Sequence, residues 1–172
     1  MQVGINRCGV QILLTQQDVR EVQLAKGALR LPKNERLHHR SLVNHLFAKS
    51  DALYAYPLRM VYRVVDEQEM RSMFKVEMPQ GIDKVQFMIP VPKKKQRHAV
   101  NRVLVRRRIK EAYRLKRLPL RDAVRKVGNK YLMLAFIYQS DKILDYAGIE
   151  QRMLKLLTKL QSQLFPNPPE EA

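Results

Sequence analysis

Residues Lys93–Arg117 read KKKQRHAVNRVLVRRRIKEAYRLKR, and they hold twelve of the chain's 33 lysines and arginines against one acid, Glu111. At about 100° per residue, Arg102, Arg106, Lys110 and Arg114 stand on one i, i+4 ridge, with Arg107 and Arg117 beside its far half. Val105, Ile109, Ala112 and Tyr113 cluster on the other side. That spacing predicts a helix docked by one face. Like charges at i, i+4 repel by a few tenths of a kcal/mol per pair, so the ridge is locally unfavourable until something anionic neutralises it. A merely solvated helix face ordinarily mixes signs, and this one has almost no acid.

Strand signals flank the helix on both sides. Before it, Val85–Val91 alternates Val85, Phe87, Ile89 and Val91 on one face, while Pro90 lacks an N–H and puts the strand's end at an edge or outside the ladder. After it, beyond a turn at Gly128-Asn129, the run YLMLAFIY at Tyr131–Tyr138 suits a strand covered on both faces. The basic helix therefore bridges two strands of one sheet. Further upstream, Leu58–Val65 predicts a half-buried strand, with Arg59, Val61 and Arg63 on one face and Leu58, Met60, Tyr62 and Val64 on the other. Met73–Met78 is a weaker strand candidate before the turn at Pro79-Gln80-Gly81, and these three strands are expected to form a meander. Leu37, Val43, Leu46 and Phe47 predict a first helix over about Asn34–Lys49. Ile149, Met153, Leu156, Leu157, Leu160 and Leu164 predict a last one over about Asp145–Leu164. The expected fold is α+β, a single two-layer domain of order α-β-β-β-α-β-α over residues 31–165. Residues 1–30, with a possible short helix around Asp18–Leu29, form an N-terminal extension of unknown role, and residues 166–172 form an expected disordered tail.

Thirty-three basic residues against 16 acidic ones, a formal charge of +17 and a length of 172 residues point to a nucleic acid as partner. The longest apolar run, Tyr131–Tyr138, is too short to span a membrane, and no secretory signal opens the chain, so a cytoplasmic protein is expected. The single cysteine, Cys8, permits no internal disulfide and suits a reducing compartment. His38, His39 and His45 do not share a helix face with a carboxylate or thiol, so no metal site is expected there. There is no Gly-rich phosphate loop, nucleophile elbow, HExxH or carboxylate cluster. A chain this basic and this poor in catalytic groups is expected to bind RNA or DNA rather than cut it alone.

From the third strand into the basic helix the sequence resembles the protein component of bacterial ribonuclease P, whose pattern is roughly V-S-K-K, a short gap, then A-V-x-R-N-R-x-K-R-x-x-R-E-A-[FY]-R. The matching residues are Val91, Pro92, Lys93 and Lys94, then Ala99, Val100, Arg102, Arg106, Arg107, Lys110, Glu111, Ala112, Tyr113 and Arg114. Pro32–Leu37 and Tyr56–Arg59 resemble the family's approach to its first helix and its first strand. Two positions depart from the pattern: Val103 and Leu104 replace Asn and Arg, groups that hydrogen-bond, with groups that cannot. Arg108, usually apolar in the family, is expected to supply displaced charge, and Val43 stands where an aromatic is common.

The resemblance implies a mixed four-stranded sheet with a left-handed β-α-β crossover, and a holoenzyme whose large RNA cuts precursor tRNA to leave the mature 5′ end. Magnesium would be held by that RNA and by the substrate, with none bound by protein groups alone and no catalytic residue in this chain. The implied partners are the catalytic RNA and precursor tRNA, with no membrane and no obligate protein partner. RNA-binding candidates are Lys93, Lys94, Lys95, Arg97, Arg102, Arg106, Arg107, Lys110, Arg114 and Arg117. Phe47, Arg59, Tyr62 and Arg63 are candidates for a cleft that takes the single-stranded 5′ leader. The charge, size and layout equally suit a structural binder of ribosomal RNA, whereas a DNA-binding role lacks helix-turn-helix spacing or a dimer heptad.

Overall fold

The apolar run after Gly128 becomes the middle of a sheet. The computed structural model describes residues 3–5, 11–13 and 29–165, and the chain divides into two units, Met1–Leu31 and Pro32–Ala172. In the first unit β1 (Val3–Ile5) pairs antiparallel with β2 (Gln11–Leu13). The helix expected around Asp18–Leu29 falls, but for Leu29 in a turn, outside the described residues, as do Cys8 and the tail from residue 166.

In the second unit β6 (Lys130–Tyr138) pairs antiparallel along its whole length with β4 (Leu58–Asp66), and parallel with β5 (Val85–Met88) on its other side. A further strand, β3 (Asp51–Ala55), pairs antiparallel with β4, giving the order β3-β4-β6-β5. Six successive residues of β6, Tyr131–Phe136, are buried, as expected of a strand covered on both sides.

The expected mixed four-stranded sheet is present, but one of its strands comes from elsewhere. Met73–Met78 is not a strand: Asp66 leads directly into a short helix, α2 (Glu67–Ser72), and Met73, Phe74 and Met78 then pack as irregular chain against the core. Its place is taken by β3, whose Ala55 pairs with Leu58 across the tight Tyr56-Pro57 turn. No meander forms, because β5 pairs with β6 and not with β4. Pro90 does stand beyond the end of this edge strand, its carbonyl accepting from the Tyr138 N–H at 3.4 Å.

The first helix, α1, spans Arg40–Ala48 and so starts later than the expected Asn34. Lys33–Glu35 make a 3-10 turn and the chain then runs extended, with Glu35 and Leu37 buried and Arg36 and His38 exposed in strict alternation. Leu37 N–H donates to the Phe87 carbonyl at 2.8 Å, which ties this segment to the edge of β5.

The basic helix, α3, spans Ala99–Lys116 and buries Val105, Ile109, Ala112 and Tyr113, the four residues its periodicity selects. Tyr113 lies between Phe87 and Phe136, with ring centroids at 4.4 and 5.3 Å, and burial pushes its phenol far above the ordinary range. Each fully buried side chain of this size contributes about 1.5–3 kcal/mol, enough to set the rotation of the helix. Beyond Arg117 α4 (Leu118–Val127) begins, with Pro119 in its first turn, where a missing N–H costs nothing. The last helix, α5 (Tyr146–Leu164), is capped by Asp145, whose carboxylate accepts from the Gly148 N–H.

Leu42 and Leu46 of α1 and Met70 of α2 pack with Val61, Val65, Met133 and Ala135 on one face of the sheet. Tyr113 of α3 and Gln163 of α5 reach Phe136 and Tyr62 on the other. Helices therefore cover parts of both faces, and α1 leaves the strip of its face nearest the Tyr56-Pro57 turn open.

Candidate nucleic-acid interface

Because its apolar side is fixed, α3 presents its cations in two directions. Arg102 donates to the carbonyls of Gln96 and Arg97 at 3.0 and 2.7 Å, and Arg106 Nε donates to that of Ile89 at 3.4 Å. Arg102 is thus tied to the loop before α3, and Arg106 leans toward the chain just after β5. Arg107 points outward instead, in a surface it shares with the exposed Val100, Val103 and Leu104. Arg114 engages Glu111 through two hydrogen bonds of 2.9 and 2.6 Å, and these hold the Glu111 carboxyl below the usual carboxylate range.

Two arginines do other work than the sequence suggests. Arg117 is 1% exposed and donates to Glu35 Oε1 at 2.6 Å, with Arg121 3.8 Å from the same oxygen. It is a core residue and cannot meet RNA: its backbone is still helical, and it stands one turn beyond Tyr113 on the buried row of Val105, Ile109 and Tyr113. Burial pushes the Glu35 carboxyl up, with Arg117 opposing the shift. Arg108, expected as displaced charge, donates to the Leu144 carbonyl at 2.5 Å and ties α3 to the loop before α5.

Lys93, Lys94, Lys95 and Arg97 are exposed on the loop before α3. Buried Gln96 fixes that loop, its Nε2 donating to the carbonyls of Ser140 and Asp141 at 3.0 and 2.8 Å, and Lys95 lies 3.8 Å from the Asp141 carboxylate. The lysines are therefore carried on an anchored turn.

The sheet face beneath α1 supplies a second surface. Tyr54, Arg59 and Ile137 stand in register across β3, β4 and β6. Tyr54 is 61% exposed, and the Arg59 guanidinium sits 5.3 Å from its ring centroid. Phe47, 46% exposed, stands on α1, the helix that packs on this face through Leu42 and Leu46. Arg63 also belongs to this face, but it donates to the His45 carbonyl at 2.7 Å and to Glu69, clamping the end of α1 to α2. Tyr62 does not share the cleft. Even-numbered residues of β4 face α5, so Tyr62 is buried there and its hydroxyl donates to Gln163 Oε1 at 3.3 Å. Tyr54 went unread because β3 itself did, although Pro57 flanked by alternating residues was a usable hairpin signal.

Exposed aromatics beside guanidinium groups on an open sheet give bases a stacking surface and phosphates a counter-charge. Among the described residues no group of three or more His, Cys, Asp or Glu could hold a metal ion, and the acids nearest the cations, Glu35, Glu69 and Glu111, each face an arginine. No helix among them is long and apolar enough to cross a membrane.

A family model described as Ribonuclease P matches residues 31–161. A ribonuclease P protein component of Porphyromonas gingivalis W83 is 33% identical over 130 residues, covering 76% of this chain and 85% of that protein. The same component from a second strain of the species is 34% identical over the same shares. The solved structure of the Staphylococcus aureus RNase P protein aligns with a TM-score of 0.47 at 18% identity, covering 73% of this chain and 94% of that one.

Proposed function

The chain belongs to the ribonuclease P protein family, and from that premise we propose a division of labour between its two surfaces. The protein is a subunit of the ribonuclease that matures the 5′ ends of tRNA. The anchored Lys93–Lys95 loop and the outward side of α3, with Arg107 and Arg114, dock on the catalytic RNA. Contacts there run to phosphates and 2′-hydroxyls, since an A-form helix hides its base edges in a deep, narrow groove. The open face of the sheet takes the single-stranded leader of precursor tRNA.

Scission belongs to the RNA, and magnesium is held by RNA and substrate phosphates; a donor set whose acids are already matched to arginines does not suit the ion. The working compartment is the cytoplasm. Family membership leaves a structural ribosomal-RNA role without support.

The observation that carries the leader reading is the Tyr54–Arg59–Ile137 row, an exposed aromatic beside a half-buried cation and a half-buried apolar residue in register on one face. Phe47→Ala and Tyr54→Ala should each weaken binding of precursor tRNA to the holoenzyme by the worth of a stacked base, about 1–3 kcal/mol, and leave mature tRNA unaffected. Equal losses for both tRNAs would remove these residues from the leader site. Cleavage at low magnesium with the cognate catalytic RNA should be strongly stimulated by the protein and give the correct 5′ end. Binding without stimulation would defeat the reading as a whole.

A further inference from the structure

The outermost line of α3 is not its basic ridge. At about 100° per residue, Val100, Val103, Leu104 and Arg107 fall within about 100° of one another and stand opposite the buried row of Val105, Ile109 and Tyr113, with Arg102, Arg106 and Lys110 to one side. Val100 is 77% exposed, Val103 43% and Leu104 38%, and their i, i+3, i+4 spacing makes them surface neighbours. Among the described residues no other helix exposes more than one large apolar side chain. Val103 and Leu104 are also the two positions at which this chain departs from the family's Asn and Arg. The phosphates and 2′-hydroxyls of an A-form helix make no use of such a stripe. Pressing aliphatic carbon against them would strip water from polar groups and return no hydrogen bond.

The charges around the stripe say what would cover it. Lys93, Lys94, Lys95 and Arg97 lead into it and Arg107 closes it, while the nearest acid along the helix, Glu111, is engaged by Arg114. The occupant is therefore anionic at its margins and apolar at its centre. We propose that the stripe seats one unstacked base of the catalytic RNA, whose flanking phosphates meet the lysine loop and Arg107. The inference rests on the docking of α3 to that RNA and deepens it. A base inside a duplex keeps its faces in the stack, whereas one turned out at a bulge or loop offers a bare ring between two phosphates. Val100 and Arg107 are about 10 Å apart along the helix axis, so cations flank the stripe closely at both ends. The two valines are β-branched and already restricted at χ1, and ordering them against a base costs little side-chain freedom. Val103 and Leu104 thereby become specificity-determining residues, which select a catalytic RNA with an open base at this place.

The test is Leu104→Arg in the full chain, with affinity for the cognate catalytic RNA followed across a salt series and the RNA bases probed with dimethyl sulfate. Leu104 is exposed and arginine is as good a helix former as leucine, so the fold persists, and a thermal midpoint checks it. Charge alone predicts that a cation added to this face tightens binding and steepens the salt slope. A base seat predicts the opposite sign. Affinity should fall about tenfold despite the extra charge, and one unpaired base that the natural protein protects should become reactive again. Val103→Asn should act in the same direction, whereas Val103→Ile, which keeps the apolar surface, should not. Tighter or unchanged binding by Leu104→Arg with an unaltered footprint overturns the proposal, and the docking of α3 then stands or falls separately on Arg107→Glu. If Arg107→Glu also leaves affinity and salt slope untouched, the docking itself fails and takes the base seat with it. Unchanged RNA affinity together with a shift in the sedimentation of the free protein would give the stripe to a second copy of the chain and would equally overturn the proposal.

Discussion

Arg117 offers the sharpest separation between a charge that holds the protein together and one that holds RNA. Its guanidinium and the Glu35 carboxylate are each 1% exposed and meet at 2.6 Å, so deletion of either strands the other in a dry interior. Breaking such a pair costs about 3–5 kcal/mol. For a unit of this size each kcal/mol moves the midpoint by roughly 3 °C, so Arg117→Met should lower the thermal midpoint by ~10–15 °C. Acid should partly rescue the variant. Burial already pushes the Glu35 carboxyl up, and without Arg117 nothing comparable opposes that shift. A group whose folded pKa lies above its unfolded one binds a proton more readily in the fold, so stability rises as pH falls through the folded value toward the unfolded one. Scanning calorimetry between about pH 7 and pH 5 should show the deficit shrinking, and Glu35→Gln combined with Arg117→Met should remove that pH dependence. Below its midpoint the Arg117→Met protein should bind the catalytic RNA with an unchanged salt slope. A normal midpoint with a flattened slope would refute the assignment and return Arg117 to the RNA surface.

The remaining expectations concern the interface. Arg107→Glu should weaken association with the catalytic RNA and reduce the slope of log affinity against log salt by about 0.7–0.9 for each phosphate left without its counter-charge, measured by filter binding across a salt series. Gln96→Ala removes the two hydrogen bonds that seat the lysine loop. It should raise amide exchange across Lys93–Lys95 and cost RNA affinity, although Gln96 is itself buried. Tyr62→Phe should leave precursor tRNA binding unchanged, because that hydroxyl faces α5. The Glu111 carboxyl is held low by Arg114, so its modest, solvent-screened contribution is present above the ordinary carboxylate pKa and is lost as pH falls through the lower folded value. Chemical-shift titration of Glu111 should show the depressed midpoint, and Arg114→Ala should restore it.

The side of α3 that faces the sheet was legible from spacing alone, since Val105, Ile109, Ala112 and Tyr113 follow the helical period and nothing competes for that role. Arg117 was not, because it is both i+3 from Arg114 and i+4 from Tyr113, and only Glu35, a partner from a distant segment, decides that it belongs with the buried row. Alternation marked β4 and β5, and an unbroken apolar run marked β6, but neither signal said anything about partners. The parallel pairing of β5 with β6 is a contact across the whole of α3 and α4, which no local pattern encodes. Strand β3 escaped because Asp51 and Ala52 carry little strand preference, and its hairpin partner supplies the pairing that propensity does not. Of the four residues the sequence offered for the cleft, Phe47 is exposed and Arg59 lies beside Tyr54, whereas Arg63 is engaged with the end of α1 and Tyr62 is buried on the other face. Their true roles depend on which helix lies over each face.

The short bond between Leu37 and Phe87 also bears on how the protein behaves before it meets RNA. An uncovered strand edge invites another chain to add to it. At one side of this sheet the segment of Arg36 and Leu37 occupies that position on β5, and at the other the edge strand β3 is only five residues long and packs against α5. In dilute salt a charge of +17 keeps copies apart regardless. At high ionic strength that repulsion is screened within a few ångströms, and colloidal stability then depends on whether residues 36 and 37 stay docked.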